Sequence, residues 1–197
     1  MTQPPLNVNE GPASGAGFWI RALARLIDIV YGNLLGLIGG FLAGIILVIL
    51  EIFGTVSPGW EQRISGRSIV VVGLSLLGAF LYHALCEGIH GASLGKLICR
   101  LRVLQEDGRP STISGGIVRN LGWYVDALFF GLIGYSSMAK SPLNQRYGDV
   151  WGKTIVIKVK EFPVSDARSP LHFIAGWFLG SACWTLMLVL GIVLEAT

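Results

Sequence analysis

Charged residues are scarce in this sequence. Only 14% of its 197 residues are Asp, Glu, Lys or Arg, whereas about a quarter of a typical soluble domain is charged. Hydrophobic residues make up 52%, and the mean hydropathy is +0.63. This balance excludes an ordinary soluble domain. It predicts that much of the surface faces lipid, so the bilayer is the first expected partner.

Several signatures of other protein classes are also missing. The three cysteines, Cys86, Cys99 and Cys183, are widely spaced and odd in number, which argues against a disulfide framework. No Gly-x-Ser-x-Gly elbow or other nucleophile constellation is visible, so the chain is not expected to be an enzyme. The net charge is only +3, and no basic stripe carries interleaved aromatics. A nucleic-acid partner is therefore not expected.

The N-terminal segment, residues 1–17, has neither an apolar run nor a basic region. It lacks the pattern of a signal peptide, and its prolines, glycines and small residues predict a flexible tail. We expect this tail to stay in the compartment where synthesis occurs, with the first membrane helix retained as an anchor.

Three apolar runs are long enough to predict transmembrane helices, since a helix rises about 1.5 Å per residue across roughly 30 Å of hydrocarbon. They are Ile27–Leu50, Ile69–Cys86 and Leu171–Leu194. A fourth run, Leu121–Ala139, contains Asp126 and three glycines, which makes it a poor lipid-facing span.

Basic residues decide between two arrangements of this fourth run. If the run spans, the 15 Lys and Arg residues divide almost evenly between the two sides of the membrane. If it dips in and returns, only Arg63 and Arg67 lie outside, in agreement with the positive-inside rule. We therefore favour a re-entrant or interfacial segment over residues 111–139.

Two short stretches, 99–104 and 153–160, alternate polar and apolar residues, which predicts β-strands. A lone strand is unstable, so we expect the two to pair on the cytoplasmic side, next to a helix around Ile113–Trp123. The predicted fold class is an all-α membrane protein. It has three to four transmembrane helices, a re-entrant or interfacial segment and a short cytoplasmic strand pair.

Glycines recur at helical spacing in two of the predicted spans. Spacing of four places them on one helix face, where another backbone can approach closely. The partner is either a helix of the same chain, a second copy in a homo-oligomer or another membrane protein. The predicted packing glycines are Gly32, Gly36, Gly40 and Gly44 in the first span and Gly176 and Gly180 in the last.

Three charged residues lie at the mouth of the first span: Arg21, Arg25 and Asp28. Their spacing places Asp28 near the helix face of both arginines. A carboxylate in a membrane helix is costly unless paired or wetted, so Asp28 is a candidate functional residue. Three roles are open for Asp28. It is part of an ion or proton site, part of a site that binds anionic lipid head groups, or one partner of a structural ion pair with an arginine. If Asp126 and Asp149 fold back to this mouth, the buried carboxylates would favour cation or proton binding.

Two further patterns resemble ligand sites but are incomplete. The stretch Gly91–Lys96 has too few residues between its glycines for a phosphate loop, and Leu97 stands where Ser or Thr is required. We interpret a second group as a polar helix end and expect neither metal nor cofactor. That group shares one helix face and consists of His83, Cys86, Glu87 and His90.

Several sequence blocks together resemble the RDD family of bacterial membrane proteins. The blocks are GFWIRALARLIDIVYG, GASLGKLICRLRVLQEDGRPST, Arg119 with Asp126, and QRYGDVWGKTIVI. The resemblance covers roughly residues 17–158. It places the family's arginine on Arg21, its first aspartate on Asp28 and its later aspartate on Asp149, with Lys96 matching the lysine of a Gly-x-x-x-Gly-Lys block. The chain departs at 151–153, where small residues are usual.

The resemblance implies a bacterial membrane protein. Together with the apolar runs and the tail, it leads us to expect a multi-pass protein of the bacterial cell (inner) membrane with its N-terminus in the cytoplasm. The sequence predicts a tail (1–17), a membrane domain (18–160) and a linker with an additional C-terminal transmembrane helix (161–197), which the family core need not have. Two functions stay open. The first is a cation- or proton-coupled transporter or transporter component using Asp28 with Arg21. The second is a non-catalytic scaffold or assembly factor that packs through its glycine-rich helix faces. The candidate binding or ion-coupling residues are Arg21, Arg25, Asp28, Lys96, Arg119, Asp126 and Asp149.

Overall fold

The computed structural model describes residues 14–64, 68–160 and 170–197. Most of the predicted tail, Arg67 and the start of the predicted linker lie outside the described residues. The described residues form, in chain order, α1 (Phe18–Ile52), α2 (Trp60–Arg63), α3 (Ile69–Ile89), α4 (Leu94–Ile98), β1 (Leu101–Gln105), α5 (Ile113–Asp126), α6 (Leu132–Lys140), α7 (Tyr147–Trp151), β2 (Thr154–Lys158) and α8 (Pro170–Ala196).

Three of the described helices are long and apolar enough to cross a membrane, namely α1, α3 and α8. They correspond to the three predicted spans, and each extends beyond its apolar run. The extension matters most in α1, which begins at Phe18 rather than at Ile27. Arg21 and Arg25 therefore belong to the same continuous helix as the apolar span.

The last helix, α8, packs along both α1 and α3. The indole of Trp184 lies between these two helices, against Gly32 of α1 and Gly78 of α3, where an added Cβ would overlap the ring. Earlier in α8, Gly176 and Gly180 lie directly against the backbone of α3. The glycines thus let the three long helices approach closely, and the indole of Trp184 fills the space between α1 and α3.

Only part of the predicted glycine stripe of α1 packs against other described residues of the chain. An added Cβ at Gly36, Gly40 or Gly44 would meet nothing within 4 Å among the described residues, so only Gly32 packs within the chain. Spacing of four drifts by about 40° per step around a helix of 3.6 residues per turn, and the stripe therefore leaves the packed face. Gly39, which the pattern missed, lies against Leu188. The buried face of α1 is formed by Arg21, Ala24, Asp28, Gly32, Leu35, Gly39, Ala43 and Leu47.

The two strands pair antiparallel, with Leu101 opposite Lys158 and Gln105 opposite Thr154, which confirms the predicted strand pair. Because the strands are neighbours, the chain between them leaves and returns at the same end of the helix bundle. Within that excursion α5 and α6 are joined by a 3-10 turn over Leu128–Gly131, and both are too short to be candidate spans. The fourth apolar run is therefore divided between short helices and contains no candidate span within the described residues. We call residues 94–158, from α4 to β2, the cap.

Glycines also determine how the cap sits on the long helices. Gly116 of α5 meets Gly88 of α3, and Gly122 of α5 meets Gly148 of α7, at distances that leave no room for a side chain. These contacts seat the polar face of α5 over the ends of α1 and α3. The face buries Arg119, which is 1% exposed.

Candidate functional site

Asp28 is buried where α1 meets α4. Its carboxylate accepts hydrogen bonds from Ser93 Oγ (2.7 Å) and from the backbone N–H of Gly95 (2.8 Å). The second bond requires glycine, because a Cβ at residue 95 would overlap the carbonyl oxygen of Ala24. His83 of α3 lies on the other side, with its Nδ1 3.9 Å from the carboxylate of Asp28.

Glu87, one turn after His83 on α3, is the second buried carboxylate. It accepts hydrogen bonds from Lys96 Nζ and Asn120 Nδ2 and lies 3.1 Å from Nε of Arg119. His83 Nδ1 is also 3.9 Å from Glu87, so the imidazole stands between the two acids. Burial lowers the pKa of Lys96, and Arg119 lowers it further, to about 7, although Glu87 opposes the shift.

Asp149, in the first turn of α7, is the third buried carboxylate. Arg21 donates to it at 2.5 Å, Arg119 Nε lies 3.6 Å away and Arg146 Nε 3.7 Å away. Burial alone would raise the pKa of Asp149, but the positive charges of Arg119, Arg146 and Arg21 hold it well below its ordinary value. The carboxylate is therefore ionised at neutral pH.

Asp126, at the end of α5, is the fourth buried acid. It accepts the backbone N–H groups of Tyr147 (3.1 Å) and Gly148 (3.2 Å), which begin α7. Burial raises the pKa of Asp126, while Arg146 and these N–H bonds oppose the rise. Because its carboxylate caps the start of the short helix α7, Asp126 has a structural role.

The expected pair between Arg21 and Asp28 is not present among the described contacts, and this prediction is corrected. Arg21 donates instead to Asp149 and to the carbonyl oxygens of Ala16 (2.8 Å) and Asn144 (2.9 Å). Seven residues of helix separate Arg21 from Asp28 by about 10 Å along the axis. The cap brings an acid closer to Arg21 than its own helix does.

Arg25, which is half-buried, differs from the other cations of the cluster. Its guanidinium lies 4.1 Å from the ring centre of Trp123, in a cation–π stack. No ion pair joins it to an acid of the described residues under a 4 Å limit. Within the described residues, the charge of Arg25 is therefore not neutralised by a direct ion pair.

Three cavities meet at the stacked pair of Arg25 and Trp123. A groove of about 470 Å³, the lateral groove, lies between α1 and α3 and ends at Asp28 and His83. A second cavity of about 20 Å³, the central cavity, shares these four residues and reaches Lys96 and Arg119. A third of about 210 Å³, the cap cavity, lies between α1 and the α5–α6 segment and again includes Arg25 and Trp123. The charged cluster thus connects a membrane-side groove with a cavity under the cap.

The cluster contains every predicted binding candidate but also residues that the sequence did not identify as site members. His83 and Glu87 point inward instead of forming only a polar helix end, and their i, i+4 spacing was the available signal. Arg146 and Asn120 complete the cluster. Arg146 belongs to a block that resembles the family but was not among the candidates, and no sequence pattern indicated Asn120. His90 lies apart, against Arg102. Within the described ranges there is no group of three or more residues that could hold a metal ion.

The fold and site define a class: a helical protein with three candidate membrane-spanning helices and a cap joined to them by buried ion pairs. The RDD family model matches residues 15–153, and the chain belongs to this family of membrane proteins. Family membership and the apolar helices together indicate a membrane protein. No curated protein and no solved structure matches the chain in the same comparisons. Helix α8 lies beyond the matched residues, although it packs against both earlier spans.

The pair of Arg21 and Asp149 gives a direct test of the cluster. Removing one partner of a buried pair leaves an uncompensated charge and costs about 3–5 kcal/mol. We therefore expect Arg21→Gln and Asp149→Asn each to lower the free energy of unfolding strongly in mixed micelles. The double variant should lose less than the sum of the two single variants.

The matched control is the exposed pair of Asp107 and Arg109, which bridges a turn of the cap. Asp107→Asn with Arg109→Gln should leave the unfolding curve almost unchanged, because solvent screens an exposed pair. Equal effects of the buried and exposed changes would contradict the assignment of Arg21 to Asp149.

Proposed function

We propose that this protein is a proton-coupled membrane transporter or a component of one, in which protons cross the charged cluster between the lateral groove and the cap cavity. One observation carries the proposal. Asp28 and His83 end the lateral groove and also line the central cavity, where Glu87 and Lys96 follow. Ionisable residues inside a membrane protein mark proton and ion pathways more often than structural sites.

The spacing of these groups suits proton transfer through water. His83 Nδ1 lies 3.9 Å from both Asp28 and Glu87, too far for direct hydrogen bonds, and it has no hydrogen-bond partner among the described residues. The central cavity of about 20 Å³ can hold one water molecule. A bridging water would connect the imidazole to either acid, and histidine can both accept and release the proton.

Lys96 extends this path to the cap. It hydrogen-bonds to Glu87, and its pKa of about 7 lets it exchange a proton near neutral pH. Groups with pKa values close to the working pH are the ones that transfer protons effectively. The order Asp28, His83, Glu87, Lys96 therefore runs from the groove to the cap in short steps.

The positions of Arg25 and Trp123 favour protons over metal cations as the transported species. Both residues line all three cavities, so an ion crossing the cluster would pass them. The fixed positive charge of Arg25 repels a hydrated cation, whereas a proton can move along hydrogen-bonded groups beside it.

The orientation is part of the proposal: the cap faces the cytoplasm of a bacterial cell whose inner membrane the three long helices cross. The basic residues of the cap support it through the positive-inside rule. In a chain whose native cysteines are replaced by serine, a cysteine at Asp107 in the cap turn should resist an impermeant maleimide in intact cells. A cysteine at Gly59, between α1 and α3, should react. The reverse labelling pattern would contradict this orientation.

A scaffold role is the second candidate. The glycine face of α1 supports it, because Gly40 and Gly44 meet no described residue and Phe41 beside them is 71% exposed. Close packing of a helix from a second copy or from another membrane protein would fit there. A scaffold of this kind needs no buried proton path, so the two functions differ in a flux assay.

Proton flux in vesicles tests the proposal. Purified protein is reconstituted with an internal pH dye, and a pH step is applied under a clamped membrane potential. We expect Asp28→Asn and His83→Gln to slow the flux by at least about tenfold, because each removes a proton-transfer group. Asp107→Asn, the same chemical change on the exposed cap turn, should retain the rate. Full flux in Asp28→Asn, or wild-type vesicles no leakier than empty ones, would overturn the transport function and favour the scaffold.

A further inference from the structure

The central cavity is bordered by more positive than negative charge. Five basic side chains line it, and the carboxylates among its lining residues are Asp28 and Glu87. Counting Asp126 and Asp149, which contact some of the same cations, still leaves one positive charge in excess when Lys96 is protonated. The five are Arg21, Arg25, Lys96, Arg119 and Arg146. An uncompensated charge in a buried site is costly, and the structure must offset it.

Arg119 shows where the missing negative charge belongs. The residue is 1% exposed, and its Nε faces Glu87 and Asp149. Neither terminal nitrogen, Nη1 or Nη2, has a hydrogen-bond acceptor among the described residues. A guanidinium carries five N–H donors and no acceptor, so an acceptor that is not part of the described chain is needed. Arg25 also lines the cavity, and it has no ion-pair partner among the described residues.

Size restricts what that acceptor can be. The cavity measures about 20 Å³, which is the space of a single water-sized particle. A phosphate or carboxylate group is too large, and a water molecule would supply an acceptor but no charge. We propose that the central cavity binds one halide ion, held by the terminal nitrogens of Arg119 and by the charge of Arg25.

Lys96 also lines the central cavity. Burial lowers its pKa to about 7, Arg119 adds to the decrease and Glu87 opposes it. A halide beside Arg119 would offset the positive charge that acts on Lys96. The halide site does not rest on proton transfer, since it follows from charge, size and unpaired donors. Because the central cavity has room for one water-sized particle, a bound halide would take the place of the bridging water in the proposed proton path.

Thermal unfolding of the full chain in detergent micelles tests the site. The melting temperature is measured at constant ionic strength while sodium gluconate is replaced by sodium fluoride or sodium chloride. Gluconate is too large for the cavity and serves as the matched anion. A ligand that binds only the folded state raises the melting temperature, so we expect a saturating increase of at least about 3 °C with one or both halides. Identical curves in all three salts would mean that the cavity holds water only and would overturn the proposal.

Two variants locate the effect. Arg25→Gln removes one cation of the cavity without breaking an ion pair among the described residues, so this variant should fold. Its apparent halide affinity should fall by at least about tenfold, which corresponds to about 1.4 kcal/mol. Arg109→Gln, an equivalent change on the exposed cap turn, should retain the full halide shift. An unchanged halide shift in Arg25→Gln would place the bound ion elsewhere and overturn the assignment. Proton flux of the wild type in gluconate is measured in parallel, so that failure of the halide site and failure of the transport function are distinguished.

Discussion

The guanidinium of Arg119 lies between two carboxylates from different parts of the chain, Glu87 of α3 and Asp149 of α7. All three side chains are almost completely buried. Because buried charge is tolerated only beside opposite charge or hydrogen-bonding partners, each of the three requires the others. Arg21 binds the same Asp149 from α1, so one set of charges holds two candidate membrane spans and the cap in a fixed relation.

Small residues make this charge cluster sterically feasible. Gly95 lets α4 lie against α1 and donate to Asp28, and Gly116 and Gly148 let α5 contact α3 and α7 backbone to backbone. In lipid, helices gain little from the hydrophobic effect when they associate, so close packing and polar contacts must supply the attraction. The glycines and the charges are therefore two parts of one arrangement, and the cavities at its centre are where function is proposed.

Bilayer thickness sets the minimum length of an apolar helix that spans it. Because that length can be measured along the sequence, hydropathy alone was enough to predict the three long helices. Alternation of polar and apolar residues was likewise enough for the strand pair. The pairing of charges was not predictable, because Arg21 and Asp149 are 128 positions apart and the choice of Asp149 over Asp28 depends on where the cap docks. His83 and Glu87 had the appearance of a polar helix end, since the sequence of α3 does not reveal that α4 and α5 close over it.

Arg119 joins the cap to α3 through Glu87, and its second partner, Asp149, joins the cap to α1 through Arg21. The most direct test is the energetic coupling between Glu87→Gln and Asp149→Asn, obtained from the unfolding free energies of both single variants and the double variant in mixed micelles. The two acids share Arg119 as a partner, so their effects should be non-additive by about 0.5–3 kcal/mol. Effects that add to within about 0.5 kcal/mol would contradict the account.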